Sequence, residues 1–191
     1  LTKIRRLVRA DEPEAIEYVK QQLGSAGMGM GRGGGRFLAP LIRNIGETSP
    51  PSYWVVFEDL ATGAGDELRA EVAVALEQLG APESLKLVQE ALKKEKLPAM
   101  RRNWLRALGT SGAADKGAHK ALLAAAKAKG DEIDRANAIV ALGWSHGDPA
   151  VAKALEAGLT SPAPRERRAA AIALAISRDR DVLSSLAEAR G

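Results

Sequence analysis

From Asp66 onward the apolar positions recur at helical spacing and are interrupted by Gly, Pro and Asp at short intervals. Asp66 to Leu79 predicts a helix, with Asp66 as its cap. Pro82 opens the next, to Lys93, with Leu85, Val88 and Leu92 on one stripe. Helices are then expected over Pro98–Gly109, Ala114–Ala128, Asp131–Trp144, Pro149–Leu159, Arg165–Ile176 and Asp179–Arg190, with Gly109 as a stop. Upstream the pattern is weaker. Leu1–Arg9, Glu14–Leu23 and Arg36–Gly46 carry apolar stripes, the last with Pro40 in its first turn or at a bend. Ser52–Ala61 holds the β-branched and aromatic run Tyr53-Trp54-Val55-Val56-Phe57, yet reads as a helix because its neighbours are helical units. Between Gly24 and Gly35, seven of twelve residues are Gly, which predicts a flexible loop.

The helices repeat. Arg135-Ala136-Asn137-Ala138-Ile139-Val140-Ala141-Leu142-Gly143 restates Arg101-Arg102-Asn103-Trp104-Leu105-Arg106-Ala107-Leu108-Gly109. Arg69 and Arg167 open two further copies, each with Ala and Leu six and seven residues on. The arginines at 69, 101, 135 and 167 are one helix pair apart, and such a period predicts a solenoid. A pair cannot bury its own apolar sides; stacked neighbours can. The Arg-led helix is apolar nearly all round in three copies, so it needs cover on several sides.

The phrase Arg-x-x-Ala/Val-x-x-Ala-Leu-Gly, then a turn with Asp-Pro, then a helix with Ala/Val-x-x-x-Leu resembles HEAT repeats, particularly the short bacterial kind. The resemblance covers Asp66–Arg190 well and Leu1–Ala61 weakly. It implies an all-α, right-handed α-solenoid of stacked antiparallel helix pairs, about six repeats in a single domain over residues 1–191. In that family the arginine is structural and bonds an acidic residue of an adjoining turn. Here Arg69, Arg101, Arg135 and Arg167 match it, but the acid six residues earlier is present only as Glu95. Gly63, Lys129 and Ser161 stand at the other places, so a regular ladder is not expected. The chain opens on what resembles a second helix and closes after a first, as a piece cut from a longer array would.

Composition narrows the function. There is no Cys, which excludes disulfides, thiol nucleophiles and Cys-based zinc sites. Aromatics are 4% and the net charge is +4, a mild excess that demands no nucleic acid or membrane. Nothing reaches 18 consecutive apolar residues, so no transmembrane helix is expected, and the default compartment is cytoplasmic. His119 and His146 lack a second ligand at metal spacing, and no nucleophile–base set is present, so neither metal, cofactor nor catalytic residue is expected. The Gly-rich stretch lacks the Lys-Ser/Thr and the preceding strand of a phosphate loop.

Two sets of candidates remain. The column Arg69, Arg101, Arg135 and Arg167 either serves the fold or tracks anions; the family resemblance favours the fold. In one repeat Trp104 stands where Val72, Ala138 and Ala170 stand elsewhere, and Arg106 where Val74, Val140 and Ile172 stand. Arg101, Arg102, Trp104 and Arg106 are therefore a candidate partner-contact patch, Trp and Arg being favoured interface anchors. The plain alternative is that Trp104 fills the core. The expected function is a non-enzymatic scaffold holding a protein partner. Nucleic acid is the alternative partner, with Trp54, Trp104 or Trp144 stacking on bases. Fold analogy alone adds the glycosylase and chromophore-lyase classes known among HEAT-like proteins.

Overall fold

The computed structural model describes residues 11–29, 35–145 and 147–188. The helix expected over Leu1–Arg9 lies outside these, as do Met30–Gly34 of the Gly-rich stretch and His146. Among the described residues every regular element is a helix. The chain divides into two compact units, 1–107 and 108–191.

In the first unit, α1 (Pro13–Gly29) packs on a 3-10 helix (Pro51–Phe57), and α2 (Gly35–Thr48) packs along α4 (Asp66–Leu79). A single turn, α3 (Leu60–Gly63), leads into α4; a 3-10 turn (Pro82–Ser84) leads into α5 (Leu85–Lys94). α1 buries Ala15, Val19 and Leu23, with Ile16 of the expected stripe only half-buried, and α2 buries Leu38, Leu41, Ile42 and Ile45 as its spacing predicts. Three expectations change here. α1 continues through Gly24 to Gly29, beyond the expected end at Leu23. Ser52–Ala61 is a 3-10 helix followed by a separate turn rather than one α-helix. Crowded β-branched and aromatic side chains disfavour the α form, and the tighter winding aligns Tyr53 with Val56 on the buried side. Asp66 is not the cap of α4: Gly65 holds that place, and Asp66 turns to Arg69 at 3.0 Å.

α6 (Pro98–Ser111) begins in the first unit and ends in the second. The second unit continues with α7 (Lys116–Lys127), α8 (Glu132–Leu142), α9 (Pro149–Gly158) and α10 (Pro164–Glu188). α7 packs on α8, and α10 packs on both α8 and α9. Three aspartates start helices: Asp115 accepts from Ala118 N–H, Asp131 from Ile133 N–H and Asp148 from Ala150 N–H. The two terminal helices expected on either side of Ser177 are one helix, α10. No Gly or Pro lies between Ile176 and Asp181, so no residue there forces a stop.

Gly109 does not stop α6, which runs on to Ser111. Its place is needed for packing instead. A Cβ there would lie 2.6 Å from the carbonyl oxygen of Ala141 on α8. Gly143 meets Ala173 of α10 in the same way, at 2.7 Å, and Gly46 of α2 meets the backbone of Ala75 on α4 at 2.6 Å. At these three places neighbouring helices touch through a Gly on one and an Ala on the next, and their backbones come closer than side chains ordinarily allow.

Candidate functional site

The four column arginines use their guanidinium groups on the turns that precede their own helices. Arg69 Nη1 donates to the Ala64 carbonyl at 3.1 Å, and Arg135 Nη1 to Gly130 at 2.7 Å. Arg167 Nη1 donates to Ser161 at 2.8 Å and Pro162 at 3.0 Å. Arg101 makes longer bonds, 3.3 Å to the Glu95 carbonyl and 3.4 Å to Leu92. Each arginine thereby ties down a carbonyl five or six residues upstream. The acid partners come from elsewhere than a strict six-residue offset. Arg69 meets Glu95 at 3.2 Å, and Arg135 meets Glu166 at 2.6 Å. Arg43 of α2, outside the column, is paired with Glu71 of α4.

Burial raises the Glu95 carboxyl, but the Leu97 N–H, Arg69 and the Lys96 N–H outweigh it and leave it below its ordinary range. The Ser161 hydroxyl and Arg135 lower Glu166. Arg69 and Glu95 also line a shallow cleft of about 130 Å³ with Ala61, Thr62, Ala91 and Lys94.

The four patch candidates do not share a surface. Trp104 is 0% exposed and fills the core, so the aromatic centre of the proposed contact is absent from the surface. Arg101 is half-buried on carbonyls, and Arg102 is also half-buried. Arg106 alone is exposed, and it bonds Glu77 of α4 through Nε at 2.9 Å and Nη2 at 2.7 Å.

That pair resolves the oddity of the repeat. Glu77 lies eight residues after Arg69, the place held by Gly109 and Gly143 in the next two copies. Where the siblings set Gly against an apolar neighbourhood, this repeat sets Glu against Arg. Burial pushes the Glu77 carboxyl up from its usual range, against the opposing pull of Arg106. Internal comparison already pointed to Arg106; applied to Glu77 as well, it finds the partner.

His119, set aside above as a metal ligand, has a partner 29 residues away that no local spacing reveals. Its ring is 2% exposed, with Nδ1 3.1 Å from Asp148 Oδ2 and Nε2 2.9 Å from the Ala113 carbonyl. The Ala150 N–H, then His119, hold Asp148 below its ordinary value. Asp148 thus caps α9 and ties it to α7, two residues 29 apart in sequence. Among the described residues no three His, Cys, Asp or Glu side chains gather as a metal would need, and no helix is long and apolar enough to cross a membrane.

A family model of HEAT repeats matches residues 56–142 and again 119–191, well over half of the chain. The chain belongs to the HEAT-repeat family. As a HEAT-repeat protein its architecture is an all-α solenoid, and repeats of this family in general hold proteins together rather than catalyse reactions. No curated protein matches it.

Proposed function

We propose that this HEAT-repeat chain is a non-enzymatic scaffold that holds a protein partner. One observation carries the choice over nucleic acid: the column arginines donate into their own turns. A row of guanidinium groups tracking phosphates needs those donors free. Here Arg69, Arg101, Arg135 and Arg167 already bind carbonyls, and Arg69 and Arg135 carboxylates too. The burial of Trp104 removes one of the three stacking surfaces the nucleic-acid reading needs.

The test is capture of partners from a lysate of the source cells, with and without nuclease. A defined protein set that survives nuclease is expected. Capture lost on nuclease treatment, together with a steep fall in affinity as salt rises, overturns the reading in favour of nucleic acid. Arg135→Ala separates the roles of the column: it is expected to lower thermal stability and to leave the salt dependence of partner binding unchanged.

A further inference from the structure

Four residues after its cap Asp115, α7 carries His119. At the same step after Ala81 and after Asp148, the caps of the corresponding elements, stand Leu85 and Ala152. The His119 ring is 2% exposed, so one copy buries a titratable group at a place where its siblings hold an apolar one.

Both ring nitrogens meet oxygens that only accept. Nδ1 lies 3.1 Å from the Asp148 carboxylate, and Nε2 lies 2.9 Å from the Ala113 carbonyl. A neutral imidazole has one N–H, so either tautomer would point a lone pair at one of these oxygens. Asp148 does not bring the missing proton. Its carboxyl accepts from the Ala150 N–H, and that bond, then His119, hold it below its ordinary value. The contacts are complete when both nitrogens carry protons, and the buried cation then has its counter-charge in Asp148.

The charges nearby leave this pair to itself. On α7, Asp115 is taken by the Ala118 N–H, and Lys116 and Lys120 are exposed. α8 packs along α7 after a short link and so runs back, which puts Glu132, Asp134 and Arg135 at the end far from His119. Arg135 is moreover held by Glu166 of α10. On α9, Lys153 and Glu156 are exposed. The helix that the pair holds is lightly built in: α9 buries only Val151 and Leu155, and it packs less on α7 and α8 than on α10.

We propose that His119 is a proton-operated latch, which holds the start of α9 against α7 while its ring carries two protons and loosens it when one leaves. Loss of the proton removes one of two bonds and sets a lone pair against an oxygen in a buried place. The grip therefore fades as pH rises and the ring sheds its proton. It fades at the acid end too, as pH falls through the lowered folded value of Asp148. The latch works whatever the chain binds and does not rest on the scaffold reading.

The test uses the full 191-residue chain carrying His146→Gln, so that His119 is its one histidine. Proton–nitrogen correlation NMR reads the protons on the ring. Hydrogen exchange, corrected for the intrinsic rate, reads the protection of the α9 amides. Both are followed from mildly acid to mildly alkaline pH. At neutral pH both ring nitrogens are expected to carry protons. As the ring loses one, α9 protection is expected to fall about tenfold or more along the same curve. Asp148→Asn keeps a capping side chain on α9, and its ring is expected to be singly protonated at neutral pH. His119→Leu, which restores the residue of the α5 copy, is expected to flatten α9 protection over the alkaline half of the series. A singly protonated ring at neutral pH in the parent chain overturns the proposal. So does α9 protection that stays flat as the ring titrates, or that falls in His119→Leu as it does in the parent. A ring protonated equally in Asp148→Asn and in the parent overturns it as well. Should His119→Leu fail to fold, the parent and Asp148→Asn still decide.

Discussion

An indole buried on all sides is a packing element, whatever its identity suggests about binding. Trp104 is such a residue, and among the described residues its Nε1 has no hydrogen-bond partner. Trp104→Ala is expected to cost about 3–5 kcal/mol of stability, read from the denaturant midpoint. Stability close to wild type would return the ring to the surface. Trp104→Phe sheds the unpaired N–H and is expected to be milder. The carboxylates divide by environment. Glu166 is lowered in the fold, so its contribution is present above the unfolded carboxylate range and is lost as pH falls through its folded value. Glu77 is raised, so its ionisation costs stability as pH climbs from the unfolded value through the folded one. Glu166→Gln is therefore expected to lose about 1–3 kcal/mol at neutral pH and progressively less as pH falls through the folded value of Glu166. Glu77→Gln is expected to lose less than Glu166→Gln at neutral pH. Urea unfolding over a series of pH values from neutral downward checks both; equal losses for the two variants at neutral pH would contradict the assignment.

At the level of helices, the close approach of neighbours depends on residues without bulk. Gly109→Ala brings a methyl to 2.6 Å from the Ala141 carbonyl, backbone that has no rotamer by which to yield. A loss of about 1–3 kcal/mol is expected despite the better helix propensity of Ala. A raised melting temperature would mean that α6 and α8 are less tightly seated. Most helices were legible because their apolar positions recur at a fixed spacing, and α4 matches its expected span, Asp66–Leu79, to the residue. Ser52–Ala61 was misread because periodicity does not separate a 3-10 turn from an α turn when crowding decides between them. Gly109 was misread as a stop because a glycine inside a helix is explained only by the neighbour it touches. The break expected between Ile176 and Asp179 is absent: α10 runs through Ser177, whose hydroxyl donates to the Gly143 carbonyl at 3.1 Å.

Across the whole chain, the repeat period was enough to give the family, because stacked helix pairs leave self-similarity in the sequence. The ion pairs were less legible. Their acids sit at different offsets in each repeat: Glu71 two residues after Arg69, Glu95 six before Arg101 and Glu166 one before Arg167. The charge needs only to arrive in space, and no fixed spacing enforces it.

The Glu77–Arg106 pair bears on how such a chain can be rearranged. An arginine that binds its own turn travels with its helix and works in any copy. Glu77 and Arg106 do not: exchange of one copy for a sibling would set the half-buried Glu77 against a Val or Ile, or leave Arg106 over a Gly. These two copies form an inseparable couple, and a chimaera with its junction between residues 77 and 106 inherits an orphaned charge.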